Sequence, residues 1–154
     1  IVAQDVEIRG LDELNARLDR FLKQAPEKRR EFHERMGDVM EREVRQNVRG
    51  SLNDSRGRIS GWQRKYVGSG GGYAAVRAED SSSGPHSPGA ITNYLESGHA
   101  TRKPTGSAKR KRSRSRTERV SGRHFYLNTR LSIHSEVEAE AIVFSNELAA
   151  LLED

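Results

Sequence analysis

The chain has 154 residues, 33% of them apolar, a formal net charge of +5 and no cysteine. That length fits one domain with a thin core, and the missing cysteine excludes disulfides, thiolate metal sites and a cysteine nucleophile. No window approaches the roughly 20 apolar residues that span a bilayer, and Ile1-Val2-Ala3-Gln4-Asp5 lacks the charged and apolar parts of a secretory leader, so a soluble protein of a reducing cytoplasm with no membrane partner is expected.

Val2, Val6 and Ile8 alternate with polar residues, the pattern of a short half-buried strand ending at Gly10. The period then changes. Leu11, Leu14, Leu18, Phe21 and Leu22 predict a short amphipathic helix over Leu11 to Lys23, with Asp12 and Glu13 near its positive end. Pro26 fits the first position of a second, long helix, along which Phe32, Met36, Met40, Val44 and Val48 recur every four residues. Its other faces mix both signs of charge, as solvated helix surfaces do.

Beyond Gly50 the texture loosens, then tightens around Ile59, Trp62, Tyr66 and Val67, read as an extended piece. A turn at Gly68 to Gly72 leads into a strand through Tyr73, Ala75 or Val76, and Ala78. Trp62 is read as a core residue rather than a platform for nucleic-acid bases. Ile91, Tyr94 and Leu95 predict one turn of helix closed by Gly98 in the left-handed conformation.

From Thr101 to Thr117 the chain carries eight basic residues and no acidic one: Arg102, Lys103, Lys109, Arg110, Lys111, Arg112, Arg114 and Arg116. Arg119 extends the run. A stretch this polar cannot bury itself, yet apolar clusters flank it on both sides, so residues 99–121 read as a basic arm fastened at both ends to the domain. Removing its eight charges from the net +5 leaves −3 for the rest. From Leu131 to Asp154 there are six acidic residues and no Lys or Arg, so the chain is polarised. Such polarity suits head-to-tail packing of identical copies, or nucleic acid.

Phe125, Leu127, Leu131, Val137, Ala141, Phe144, Leu148 and Leu151 predict a terminal helix. Ile133, Ile142 and Val143 lie off its apolar face, which implies either a strand within Ala139 to Phe144 or a second face covered by a neighbour.

Catalytic patterns are missing. The Gly68 to Gly72 run is followed by no Gly-Lys-Ser/Thr, the five histidines lack the close spacing of a zinc site, and no serine sits in a Gly-x-Ser-x-Gly elbow. Glu136, Glu138 and Glu140 read as acidic surface rather than paired acid–base groups. The expectation is a non-enzyme with no cofactor and no metal.

In order, Val6-Glu7-Ile8-Arg9-Gly10-Leu11-Asp12-Glu13-Leu14, a long charged helix, Tyr94-Leu95-Glu96-Ser97-Gly98 and Gly122-Arg123-His124-Phe125-Tyr126-Leu127 resemble the neck and tail-completion proteins of long-tailed bacteriophages. Two features depart from that family: His124 stands where it usually has proline, and the run Lys103 to Arg119 is longer and more basic. The resemblance implies a virion protein, assembled in the bacterial cytoplasm as a ring of six or twelve copies at the head–tail junction. As a neck or tail-terminator component it would join head connector and tail tube and help retain or pass genome DNA. Tyr94, Leu95 and Glu96 would anchor the near end of the arm, and Arg123, Phe125 and Tyr126 the far end. The arm itself would lie on a neighbouring subunit or on DNA phosphates, without base specificity. The other reading is a free, sequence-nonspecific nucleic-acid-binding protein using residues 102–116. Either way the expected fold is one α+β domain over residues 1–154: N-terminal strand, short helix, long central helix, small antiparallel sheet, long basic loop, C-terminal helix.

Overall fold

A computed structural model describes residues 10–100 and 119–153. The predicted strand at Val2 to Ile8 and the arm residues Arg102 to Arg116 lie outside them.

The organising element is α1, Leu11–Ser51, about 60 Å of continuous helix at 1.5 Å per residue. Its start at Gly10 has no side-chain cap, but Asp12 and Glu13 meet the positive end and Arg49 the negative end. The expected division into two helices is wrong, because Pro26 lies inside α1 rather than at a start. Proline has no N–H, so one backbone hydrogen bond, to the carbonyl of Leu22, is missing. Lys23, Gln24 and Ala25 are good helix formers and carry the helix through the proline turn, where Leu22, Ala25, Pro26 and Arg29 line an open crevice with Phe144 and Leu148.

A turn at Asp54 to Gly57 leads into α2, Arg58–Trp62, where an extended piece was expected. The Asp54 carboxylate accepts from the amides of Ile59 and Ser60 at 3.1 and 2.8 Å, which nucleates this single turn. Burial pushes the Asp54 pKa up, but the bonds from Ser60, Ile59 and Arg58 outweigh it and hold the group below its usual value. Trp62 is half-buried, with the Arg58 guanidinium 5.1 Å from its ring centre, and the fully buried residues here are Ser60 and Gln63.

β1, Gln63–Val67, and β2, Ala74–Ala78, pair antiparallel with Gln63 opposite Ala78 and Val67 opposite Ala74. Their glycine-rich connection is a turn fastened to α1: Arg29 and Arg30 donate to the carbonyls of Gly70 and Ser69, and Gly71, at φ 63°, lies against Arg30. Across the same face the Glu41 carboxylate accepts from the Lys65 amide. The Lys65 ammonium bonds Asp38 and Glu34, and these pairings raise its pKa over the opposing effect of burial.

α3, Pro88–Ser97, is longer than the predicted turn. Ser87 caps it by accepting from the Ala90 amide, and Pro88 occupies the first turn. β3, Gly98–Ala100, and β4, Arg119–Ser121, form a second antiparallel ribbon.

The expected terminal helix is two: α4, Phe125–Ser132, and α5, His134–Glu153, separated at Ile133. Residues 139–144 are helical throughout, so no strand forms there. Phe125, Thr129 and Ile133 face inward, which turns Leu127 and Leu131 outward, to 50% and 71% exposure. The inward position between Phe125 and Ile133 is filled by a threonine, Thr129, so the apolar pattern of the leucines does not mark the buried face. α5 packs on α1 through Phe32 and Phe144, stacked at 4.7 Å, and through Arg35 to Glu140 and Glu147 and Arg42 to Glu136. Leu11, Leu14, Leu18 and Leu22, expected on a buried face, are exposed.

The core, Val44, Val48 and Phe125 with Leu52, Ile59, Val76, Leu95 and Tyr126 around them, lies where α1 meets the first hairpin, α3 and α4. The fold is α+β.

Candidate functional site

The two sequence landmarks that flank the basic arm meet. The amides of Arg123 and His124 donate to the carbonyls of Leu95 and Glu96 at 2.8 and 3.2 Å. Gly98, His99 and Ala100 pair with Ser121, Val120 and Arg119. The chain that leaves the body at Ala100 therefore returns directly opposite at Arg119.

Two glycines permit this approach. A β-carbon on Gly98, at φ 77°, would strike the Val120 carbonyl, and one on Gly122 would strike the Glu96 carbonyl. Gly98 has the positive φ expected of it, but its ψ of 173° sends the chain straight into β3 instead of closing a left-handed cap.

Glu96 completes the clasp. Its carboxylate accepts from the amides of Tyr126 at 3.0 Å and Leu127 at 3.3 Å, two of the unpaired donors in the first turn of α4. A remote side chain thus supplies the cap that His124 does not, since His124 sits at φ 53° and makes no side-chain cap bond. Proline, with its φ fixed at about −65°, cannot adopt that backbone.

Next to Glu96 the first turn of α4 sends Phe125 into the core, where it is fully buried, a gain of about 2–3 kcal/mol by area. Tyr126 turns toward β1 and donates its hydroxyl to the Gln63 side-chain oxygen. The Gln63 amide nitrogen donates to the Ile59 carbonyl and the Thr92 hydroxyl, and Arg45 donates to the Gln63 carbonyl. Burial, then the nearby negative charge of Glu96, pushes the Tyr126 pKa from 10.0 up to about 12, so the phenol is neutral at ordinary pH.

Of the predicted anchors, Leu95, Glu96, Phe125 and Tyr126 converge on this junction. Arg123 contributes its backbone while its side chain is exposed, and Tyr94 lies outward beside His99, with ring centres 5.7 Å apart. Arg119 is exposed in β4 at the point where the arm rejoins the body. Sequence reasoning missed Gln63, Thr92 and Thr129, buried polar residues with no apolar pattern to mark them. Asn47 on α1 donates to the Thr129 hydroxyl at 2.8 Å, which in turn donates to the Phe125 carbonyl.

Among the described residues no three His, Asp or Glu side chains are grouped to hold a metal, and no helix is long and apolar enough to cross a membrane. Compared with known proteins, the chain matches no family model, no curated protein and no solved structure.

Proposed function

We propose that this chain is a structural virion protein of a long-tailed bacteriophage, a neck or tail-completion component that forms a ring joining head connector to tail tube. One observation carries the reading: the Tyr94 to Gly98 and Gly122 to Leu127 landmarks, distant in sequence, fold into a single hydrogen-bonded clasp. A clasp of this kind serves presentation. It brings Ala100 and Arg119 side by side, and the eight Lys and Arg between them in sequence would meet a neighbouring subunit or DNA phosphates in a ring lumen. The small private core and the polarised charge fit a subunit that completes itself in contact with others.

The test is capture by the partner. Purified full-length chain mixed with isolated head-connector complexes should co-sediment with them in a fixed ratio, and images of the pellet should show an added ring. The competing role, a free nucleic-acid-binding protein, gives a different result: indifference to connectors and tight monomeric binding to duplex DNA. That binding would weaken on the order of 10³-fold between 50 and 200 mM salt for about six phosphate contacts.

A further inference from the structure

The first four turns of α1 carry an apolar stripe that the described residues leave largely open. Leu11, Leu14, Leu18, Phe21, Leu22 and Ala25 fall within about 100° of the helix circumference. The four leucines are 43–68% exposed, while Phe21 and Ala25 are half-buried. At its far end the stripe runs into a crevice of about 230 Å³, lined by Leu22, Ala25, Pro26, Arg29, Phe144 and Leu148. Stripe and crevice together make one apolar groove, open from Leu11 to the last turns of α5.

The sequence just ahead of the stripe has a matching pattern. Val2, Val6 and Ile8 alternate with polar residues, so an extended backbone would set them with Gln4 on one side and Asp5, Glu7 and Arg9 on the other. At Gly10 the backbone is left-handed, φ 92° and ψ −5°, so the residues before it leave the helix axis rather than prolong it. The two spacings agree. At about 3.3 Å per extended residue, Ile8, Val6 and Val2 reach about 7, 13 and 26 Å from Gly10. At about 1.5 Å per helical residue, Leu14, Leu18 and Ala25 lie about 6, 12 and 23 Å from it along α1. A hydrogen-bond acceptor is also missing at the edge of the stripe. Arg17 gives one guanidinium nitrogen to Glu13 at 2.7 Å, but its Nε is buried and makes no hydrogen bond.

We propose that Val2 to Ile8 folds back from Gly10 as an extended strap along α1 of its own chain, with Ile8 on Leu14, Val6 on Leu18 and Val2 in the crevice beside Ala25 and Leu148. Asp5 and Glu7 then face water, and a carbonyl on the strap's edge receives the Arg17 Nε–H. The occupant is the same chain rather than a second copy because the segment is tethered at the mouth of the groove, where its effective concentration is on the order of millimolar. Closed in this way, the groove offers other copies no continuous apolar surface. The inference does not depend on the ring reading.

Because the chain has no cysteine, two engineered ones are its only thiols. Full-length Val6→Cys with Leu18→Cys, oxidised at low concentration, should close a disulfide within one chain at least about tenfold faster than Val2→Cys with Leu11→Cys, a pair that this register holds well beyond the ~7 Å a disulfide spans. Thermal unfolding gives a second readout. Val6→Asp and Leu18→Asp should each lower the midpoint by several degrees, and the double variant by little more than either, since both break the same contact. Disulfides that link two chains instead of closing one put a neighbour's segment in the groove and overturn the inference. Equal rates for the two cysteine pairs, or midpoints that fall additively, overturn it as well.

Discussion

Glu96 holds two amides of α4 with one carboxylate, so its removal acts on the clasp and on the helix together. Glu96→Ala should lower stability by about 1–2 kcal/mol, from the lost cap and lost charge at a helix N-terminus, measured by urea unfolding. Tyr126 is a second single-residue control. Tyr126→Phe leaves the buried Gln63 oxygen without its donor and should cost about 1–3 kcal/mol at neutral pH. It should also alter the alkaline limb of the stability profile. Folding raises the pKa of this phenol, so its stabilisation is complete below 10.0 and is lost as pH rises through about 12. Unfolding free energies between pH 9 and 12 should fall less steeply in Tyr126→Phe than in the wild type; equal slopes would mean that the hydroxyl is not buried as described. Neither partnership was legible in the sequence. Glu96 and Tyr126 were singled out as anchors, but which atoms they hold is set by a long-range crossing, and Gln63, a polar residue in an apolar place, has no periodic signature.

Among the elements, α1 was read most fully, because its apolar stripe from Phe32 to Val48 repeats at helical spacing through a chain of good helix formers. Pro26 suggests a boundary because proline is favoured at helix starts, yet Lys23, Gln24 and Ala25 before it continue the helix. Pro26→Ala should therefore stabilise the protein by roughly 1–3 kcal/mol in thermal unfolding, since it restores a backbone hydrogen bond within a helix that already runs through. Between α1 and α5 packing outweighs charge. The Arg35 pairs are about a third exposed and contribute at most ~1 kcal/mol, whereas truncating the stacked Phe144 to alanine should cost about 2 kcal/mol or more and be insensitive to salt. The ribbon of β3 and β4 depends on absent side chains. Gly122→Ala drives a methyl into the Glu96 carbonyl and should cost roughly 2 kcal/mol or more, with amide exchange accelerated at Arg123 and His124. Gly98 and Gly122 stand in the sequence landmarks, but three-residue strands separated by a long basic run give too little pattern to predict that they pair.

For the whole molecule, the acidic end seen in the sequence acquires a spatial form: α5 sets its five glutamates along one flank of α1, while β3 and β4 bring Ala100 and Arg119, which bracket residues 101–118, side by side. Because Ala100 pairs with Arg119, a two-residue Asn-Gly turn can replace those 18 residues without disturbing the body. That shortened chain separates what the body does from what the arm does. The measurement that bears most directly on the account is the solution mass of the full-length chain by light scattering across a wide concentration range, with the shortened chain and duplex DNA as comparisons. The account predicts one defined oligomer, of the mass of a closed ring, with only weak DNA binding by the subunit. A full-length chain that stays monomeric at the highest concentration while gripping DNA tightly would contradict it.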